Sequence, residues 1–145
     1  MRIFPLTEEF KSGWQALMKL YFEFYTFDAD DKHIDSVFSM IIDDTSELNS
    51  LIAVIDGNVV GMANYVFMPD TFNIRNCYLS DLYTDDKYRG QGIARKLIDA
   101  VAIEAKNAAC PSFYWLTRYK NQQAQCLYDK IALRRDLYVY EKSTG

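Results

Sequence analysis

Two glycines one residue apart lie in the stretch DDKYRGQGIARKL, residues 85–97, directly after an apolar run and before a helical pattern. A glycine has no Cβ, so the backbone can approach a ligand closely at such a position. The first N–H groups of a helix have no intrahelical partner, and together with the helix dipole they favour a bound phosphate or pyrophosphate. These residues alone are equally typical of plain packing at a strand-to-helix turn.

Spacing excludes two common phosphate-binding motifs at these glycines. A P-loop requires four residues and then Gly-Lys-Ser/Thr after its first glycine, and neither Gly90 nor Gly92 begins that pattern. A dinucleotide-binding fingerprint requires a small residue at position 95, where this chain has Arg95, and it normally follows a parallel βαβ start. The glycine pair therefore belongs to neither motif.

Hydrophobic periodicity predicts the elements around the glycine pair. Alternating apolar residues predict strands at 2–6, 51–55, 59–68, 75–84, 112–117 and 137–142, and Asp56-Gly57-Asn58 predicts a tight hairpin turn. Apolar residues at three- and four-residue spacing predict helices at 7–27, 31–42, 93–108 and 121–132, with Thr7 as an N-cap of the first. The glycines therefore lie at a strand-to-helix junction.

Composition limits the class of protein. A chain of 145 residues, half of them hydrophobic, predicts one globular domain over residues 1–145. The formal charge of −4 gives no broad basic surface for nucleic acid. Cys77, Cys110 and Cys126 match no zinc spacing and are interpreted as reduced, buried residues, which predicts a cytoplasmic location. No signal peptide pattern or transmembrane run is visible, so we expect no membrane partner.

The six residues RGQGIA, from Arg89 to Ala94, resemble the Gln/Arg-x-x-Gly-x-Gly/Ala motif of the GNAT N-acetyltransferase family. The surrounding CYLSDLYTDDKYRGQGIARKLI resembles the family's fourth strand, pyrophosphate loop and third helix. Downstream, NQQAQCLYDKIA resembles its Asn-x-x-Ala-x-x-Leu-Tyr-x-Lys signature. The resemblance covers residues 51–141, and YLSDLY and WLTRYKN are most similar to the small-amine branch, which includes polyamine and yeast histone/polyamine acetyltransferase-like proteins.

The resemblance implies an α/β GNAT acyl-CoA N-acyltransferase fold, in which a mixed, mostly antiparallel sheet is flanked by helices. It implies acetyl-CoA as the cofactor, bound in the opening between the fourth and fifth strands. The strand before the loop would pair with the pantetheine arm, and backbone N–H groups of the loop would bind the pyrophosphate of coenzyme A. The cofactor-binding residues that it predicts are Leu82, Tyr83, Thr84, Arg89, Gly90, Gln91, Gly92, Ile93, Ala94 and Asn121, with no metal ligand.

Tyr128 is the catalytic residue that the resemblance implies. A phenol with an ordinary pKa of about 10 stays protonated at neutral pH, so it can donate a proton to a departing thiolate. By spacing alone, Tyr128 is one of eleven tyrosines, and its position favours packing on an aromatic helix face over catalysis. Asn121 reads first as a helix N-cap, and the contact with coenzyme A is implied only by the resemblance.

The general base is not identified by the sequence. Ser80 occupies the strand position where polyamine acetyltransferases usually carry Glu. Asp81 is adjacent, but strand alternation predicts that it faces the opposite side of the sheet, where a structural role is equally suitable. The remaining candidates are a water chain, the single histidine His33, and the acids Glu23, Asp28 and Asp30.

The sequence therefore predicts an enzyme that transfers an acetyl group from acetyl-CoA to a primary amine. We expect a small-molecule acceptor, either polyamine-like or an aminated metabolite, ahead of a protein lysine or N-terminus. A non-catalytic acyl-CoA-binding sensor or docking module is the alternative from a different class, and the Ser80 departure keeps it open. The sequence leaves the oligomeric state open, and a homodimer is the assembly to test. These motifs do not identify the amine.

Overall fold

The computed structural model describes residues 1–145, in two compact units, Met1–Trp115 and Leu116–Gly145. The first unit contains five strands and three helices, and the second contains one helix. In chain order the elements are β1 (Arg2–Pro5), α1 (Lys11–Phe24), α2 (Asp31–Ile42), β2 (Leu48–Ile55), β3 (Asn58–Asp70), β4 (Ile74–Thr84), α3 (Ile93–Asn107), β5 (Phe113–Tyr114) and α4 (Gln122–Ile131). The single domain over residues 1–145 stays a prediction.

The five strands form one sheet in the order β1-β2-β3-β4-β5. Neighbours are antiparallel from β1 to β4, and β5 lies parallel to β4. The turn between β2 and β3 is the predicted one, with positive φ angles of 49° at Asp56 and 79° at Gly57, as a two-residue hairpin of the I′ kind requires. The expected mixed, mostly antiparallel sheet with flanking helices is confirmed.

Helices cover both faces of the sheet within the first unit. Met62 belongs to a buried cluster with residues of α1 and α2, namely Trp14, Leu17, Met18, Tyr21, Ile34 and Phe38. Its strand neighbour Gly61 lies against Ile93 and Leu97 of α3. Because successive strand residues face opposite sides, α3 covers the face opposite to α1 and α2.

The helix predictions agree closely with the structure except for the first helix, expected at 7–27, which spans Lys11–Phe24. A 3₁₀ turn at Glu8–Phe10 precedes α1, and Thr7 before that turn makes no side-chain capping bond. Asp30 caps α2 by accepting a hydrogen bond from His33 N at 2.8 Å. No helix combines the length and the apolar composition that a membrane span requires.

Two strand predictions are corrected by the structure. The strand expected at 112–117 shrinks to Phe113–Tyr114, and the strand expected at 137–142 is absent. Alternating apolar residues make a strand only where a neighbour supplies backbone hydrogen bonds, and residues 137–142 have no such neighbour. Their side chains are consequently exposed, with Tyr140 at 93%.

The cysteine prediction is correct at two positions and wrong at the third. Cys77 and Cys110 are buried and free, and burial raises the pKa of the Cys77 thiol to about 12. Cys126 is free but exposed on α4, a helix with no fully buried residue. The apolar character of a cysteine could not reveal on which side of a short amphipathic helix it lies.

We expect Gly61→Ala to lower the free energy of unfolding by about 1–3 kcal/mol, the usual effect of overpacking a core. An added Cβ would lie 2.9 Å from Ile93 Cγ2 and 3.2 Å from Leu97 Cδ1, so these side chains of α3 would have to shift. Denaturant unfolding followed by circular dichroism measures the change. In the double variant with Ile93→Ala, the loss should be smaller than the sum of the single losses; additive losses would contradict the close contact.

Candidate active site

The loop between β4 and α3 is fixed at its start by backbone and side-chain hydrogen bonds. Asp85 N donates to Val60 O of β3 at 2.9 Å, and the Asp85 carboxylate accepts from Lys87 N at 3.0 Å. A 3₁₀ turn at Asp86–Tyr88 follows. The chain therefore leaves the end of β4 in a defined direction before it reaches the two glycines.

The Arg89 side chain folds back onto the protein. Its guanidinium contacts Asp86 Oδ1 at 2.7 Å, its Nε donates to Thr84 O at 3.2 Å, and its Cζ lies 5.6 Å from the Tyr83 ring centroid and 5.7 Å from that of Phe24. The arginine thus ties the loop to the strand end. What the loop offers to a ligand is its backbone.

Both loop glycines adopt a left-handed backbone and border open space. Gly90 and Gly92 each have φ of 77°, a conformation that L-residues adopt at a steric cost. A Cβ added at either position would meet no atom within 4 Å. Gly92 is the N-cap of α3, and no side chain caps the helix there. The first N–H groups of α3 are therefore available to an anion, as the sequence predicted.

β4 pairs with β3 along its whole length, but it pairs with β5 at two residues only. Its ladder with β3 runs from Ile74 to Thr84, whereas its pairing with β5 consists of Cys77 and Tyr78. On that side Leu79–Thr84 form an open backbone edge, which can take an extended ligand as an added strand. Thr84 Oγ1 at its end is buried without a hydrogen-bond partner.

A β-bulge at Ser80 interrupts the alternation of β4 beside Asp81. Asn64 is opposite Asp81 and Tyr65 is opposite Leu79, so Ser80 is an extra residue in β4. Its hydroxyl lies 3.1 Å from Asn64 O and 3.2 Å from Asp81 Oδ2. The expectation that alternation separates Ser80 from Asp81 is therefore wrong, because a bulge interrupts the two-residue period.

Three side chains lie within hydrogen-bonding distance of the Asp81 carboxylate, and Ser80 shares its one hydroxyl proton between Asp81 Oδ2 and Asn64 O. Tyr21 OH of α1 donates to Oδ1 at 2.7 Å, and Asn64 Nδ2 and Ser80 Oγ donate to Oδ2 at 3.1 and 3.2 Å. Burial, and then the charge of Asp81 and its hydrogen bond, raise the pKa of Tyr21 far above the ordinary phenol value. Tyr21 therefore stays a proton-bearing donor to Asp81 at every physiological pH.

The other candidate bases lie apart from this cluster. Glu23, Asp28 and His33 are exposed, and the carboxylate of Asp30 is used to cap α2. The His33 ring packs beside Phe22, with ring centroids 5.8 Å apart. Among the acids considered from the sequence, Asp81 alone is held by several side-chain donors.

The C-terminal unit carries the remaining predicted site residues on α4. Asn121 is the N-cap of this helix, and its Oδ1 accepts from Ala124 N at 3.3 Å. Tyr128 lies in the last turns of α4 and is half-buried. The N-cap interpretation of Asn121 is confirmed, and the catalytic role of Tyr128 stays a prediction.

Within the N-terminal unit, the structure brings the predicted cofactor residues into one continuous strand, loop and helix start. Leu82, Tyr83 and Thr84 end β4, and residues 89–94 form the loop and the first turn of α3. The Tyr83 side chain is only 8% exposed and packs in the core, so its backbone is the part that a ligand can reach.

Sequence reasoning missed Tyr21 and Asn64. Tyr21 reads as one more apolar residue of α1, and nothing local connects it to β4. A signal existed for Asn64, a polar side chain within the apolar run GMANYVFM that becomes 1% exposed. A buried amide requires hydrogen-bond partners, so it indicates a polar site on the sheet.

In this chain β4 has an open edge, a glycine loop follows it, and α3 begins without a side-chain cap. This arrangement defines a class of α/β proteins suited to an extended ligand with a pyrophosphate. Residues 14–132 of the chain match the Acetyltransferase (GNAT) family. The chain belongs to this family and is an N-acetyltransferase, as the motifs indicated.

Known proteins similar to the chain agree with this assignment. It is 31% identical over 142 residues to D-amino-acid N-acetyltransferase HPA3 of Saccharomyces cerevisiae, covering 96% of this chain and 86% of that protein. It is 43% identical over 70 residues to thialysine N-epsilon-acetyltransferase of Mus musculus, covering 48% of this chain and 41% of that protein. AAC(6')-Iy, solved with the bisubstrate analog CoA-S-monomethyl-acetylneamine, shares the fold, with a TM-score of 0.87, 20% identity, and coverage of 99% and 97%.

We expect Gly92→Val to weaken the binding of coenzyme A at least tenfold, about 1.4 kcal/mol, because a branched side chain would enter the open space beside the uncapped N–H groups. Titration calorimetry with coenzyme A measures the affinity.

Gly57→Val is the matched control, because Gly57 has φ of 79°, also borders open space, and lies in the β2–β3 turn outside the loop. It should suffer the same backbone strain and keep its affinity. Unchanged affinity in a folded Gly92→Val protein would remove the loop as the anion site. If that variant does not fold, Gly92→Ala with Gly57→Ala repeats the comparison with less strain.

Proposed function

We propose that the protein transfers the acetyl group of acetyl-CoA to a primary amine of a small molecule. The observation that carries the proposal is the open edge of β4 leading directly into the uncapped N-terminus of α3 through two left-handed glycines. An extended amide-bearing arm suits the edge, and a pyrophosphate suits the helix start.

The residues at this position fit acetyl-CoA. The backbone of Leu82–Thr84 would pair with the pantetheine arm, and the N–H groups from Arg89 to Ala94 would bind the pyrophosphate. Thr84 Oγ1, buried and unpartnered, is a polar group that a bound ligand can satisfy. The cofactor supplies an acetyl group activated as a thioester.

Two groups of the chain are proposed to assist the transfer. A backbone N–H of the unpaired edge near Leu82 would stabilise negative charge on the acetyl carbonyl oxygen, a kind of contact whose loss typically costs about 3 kcal/mol. Tyr128 would hold a proton on its phenol oxygen for the departing thiolate. The assignment of Tyr128 rests on the signature from Asn121 to Lys130. Asn121 itself keeps its capping bond, and its contact with coenzyme A rests on the same signature.

A small amine is the acceptor that the relatives favour. HPA3 is named for D-amino acids and the Mus musculus enzyme for thialysine, and both names describe small amine-bearing molecules. We therefore place a polyamine-like or aminated metabolite ahead of a protein lysine or N-terminus. The net charge of −4 agrees with a cationic small molecule, since a negative surface attracts cations.

We further propose a cytoplasmic location and a homodimer. Three free cysteines suit a reducing compartment. The exposed apolar segment at Leu137, Tyr138, Val139 and Tyr140 suits association, because large exposed apolar side chains in a row commonly mark a contact surface.

Acetyl-CoA should stabilise the fold and should release coenzyme A when an accepted amine is added. At one hundred times its dissociation constant, a ligand adds about 2.7 kcal/mol, which raises the melting temperature of a chain of this size by about 5–10 °C. Differential scanning fluorimetry and a thiol-release screen over amines and basic peptides measure the two effects.

The screen also separates the enzyme from an acyl-CoA sensor. A sensor would show the thermal shift with no release of coenzyme A for any acceptor. No shift at millimolar acetyl-CoA would count against the cofactor itself.

Tyr128→Phe should reduce single-turnover acetyl transfer by at least tenfold while the affinity for acetyl-CoA and the melting temperature stay nearly unchanged. The substitution keeps the ring and removes the proton donor, and general acid catalysis contributes typically about 10²- to 10⁴-fold. Rapid-quench measurements at saturating acetyl-CoA isolate the chemical step from product release.

Tyr119→Phe is the matched control for Tyr128→Phe. Tyr119 is 84% exposed, so the loss of its hydroxyl should leave the rate unaltered. Equal single-turnover rates for wild type and Tyr128→Phe would assign Tyr128 to packing.

A further inference from the structure

Asp81 is a half-buried carboxylate with no positively charged partner. Five ion pairs occur in the structure, and the acidic side chain of each is at least 52% exposed. None of them includes Asp81, so no Lys, Arg or His nitrogen lies within 4.0 Å of its oxygens. A carboxylate removed from water normally has a counter-ion, and here the protein does not supply it.

The hydrogen bonds to Asp81 leave one acceptor position open. A carboxylate has about four lone-pair sites; Oδ2 accepts from Asn64 and shares the single Ser80 hydroxyl proton with Asn64 O. Oδ1 accepts from Tyr21 alone. The donors therefore fix the orientation of the carboxylate while one lone pair of Oδ1 remains for a ligand.

A second acceptor beside Asp81 also lacks a donor. Asn64 uses its Nδ2 to bind Asp81, and its Oδ1 is buried without a hydrogen-bond partner. An ammonium group carries three N–H donors and no acceptor, so it supplies what the cluster lacks. A neutral hydroxyl offers only one donor to these acceptors, and an anion would be repelled by the carboxylate.

Aromatic rings surround the cluster. The Tyr21 ring lies 5.0 Å from the Tyr25 ring and 5.7 Å from the Tyr83 ring. Tyr78 stacks on Tyr114 at 5.0 Å, and Tyr78 lies near enough for the charge of Asp81 to contribute to raising its pKa, after burial and Tyr114. The faces of such rings attract cations, so aromatic surroundings are compatible with an ammonium group beside the carboxylate.

We propose that Asp81 binds a positively charged ammonium group of the acceptor, and that Tyr21 and Asn64 are positioning residues which hold its carboxylate for that purpose. This inference rests on the proposed function and concerns its acceptor. Asp81 also lies on the part of β4 that has no β5 partner, three residues beyond the last paired position, Tyr78.

The role defines a class of substrate. The nitrogen that attacks the thioester needs a free lone pair, so in this proposal Asp81 holds a different nitrogen of the acceptor, one that stays protonated. The acceptor then carries a second cationic group besides its reacting amine. Diamines and longer polyamines belong to this class, and simple monoamines do not.

The test compares 1,5-diaminopentane with 1-aminopentane, which have the same chain length and differ in one ammonium group. The wild-type protein should show a KM for the diamine at least tenfold lower than for the monoamine. Asp81→Asn keeps the shape and removes the charge, so it should raise the KM of the diamine at least tenfold, change kcat less than threefold, and raise the KM of the monoamine by a smaller factor than that of the diamine.

Tyr21→Phe should move the same KM in the same direction by a smaller factor, because the carboxylate keeps its charge and loses one orienting donor. Asp99→Asn on α3 is the matched control for net charge, since Asp99 is exposed and takes part in no ion pair. Its kinetic constants should equal those of the wild type.

Calorimetry with 1,5-diaminopentane in the absence of acetyl-CoA gives a readout that does not depend on turnover. Diamine binding that disappears in Asp81→Asn supports the anchor even if no transfer occurs, so a failure of the proposed function is distinguished from a failure of this inference. Acetyl transfer without diamine preference, or a fall in kcat at constant KM in Asp81→Asn, would overturn the anchor. If Asp81→Asn does not fold, the KM shift in Tyr21→Phe decides.

Discussion

The pairing of β4 with β5 ends at Tyr78, and the rest of the structure depends on this constraint. Backbone N–H and C=O groups must be paired or hydrated, and an open stretch of strand is normally covered or avoided. Here the ladder with β3 continues to Thr84, so the open stretch stays rigid while its outer edge is free. A rigid edge of this kind can position an extended ligand, which a mobile loop could not do with the same precision.

The bulge at Ser80 connects this edge to the hydrophobic core. The extra residue Ser80 precedes Asp81, which accepts a hydrogen bond from Tyr21 of α1, while the Tyr21 ring packs edge-on against Tyr83. The same tyrosine therefore belongs to the apolar cluster and to the polar one. Because α1 is held by its buried side chains, the orientation of the Asp81 carboxylate is set by core packing, and a loosened core would disorder the site.

On the sheet face covered by α3, close packing holds the start of this helix in place for the anion site. The absence of a side chain at Gly61 lets α3 approach β3, and Ile93 at the start of that helix occupies the space. The Asp85–Val60 hydrogen bond and the folded-back Arg89 fix the chain between strand and helix. The uncapped N–H groups of α3 are thereby held at the end of β4 without an ordering cost at the moment of binding.

The sequence by itself determined the features that depend on near neighbours along the chain. The Asp56-Gly57 turn, the span of α2 and the glycine junction follow from local φ/ψ preferences and hydrophobic periodicity, and the two motifs led to the family over most of the chain. Strand pairing is a property of two segments, so the sequence could not show that residues 137–142 have no neighbour, or that the strand at 112–117 shortens to two residues.

Tertiary structure alone decided the surroundings of Asp81. A bulge is a mismatch between two strands, and β4 in isolation reads as a regular alternation that sends Ser80 and Asp81 to opposite faces. Tyr21 reaches Asp81 across 60 positions of sequence, because α1 packs on the sheet face that carries Met62 and Tyr83. The secondary-structure propensities of Tyr21 and Asp81 carry no information about this contact. It forms because α1 buries its apolar face on the sheet, and that burial supplies the free energy.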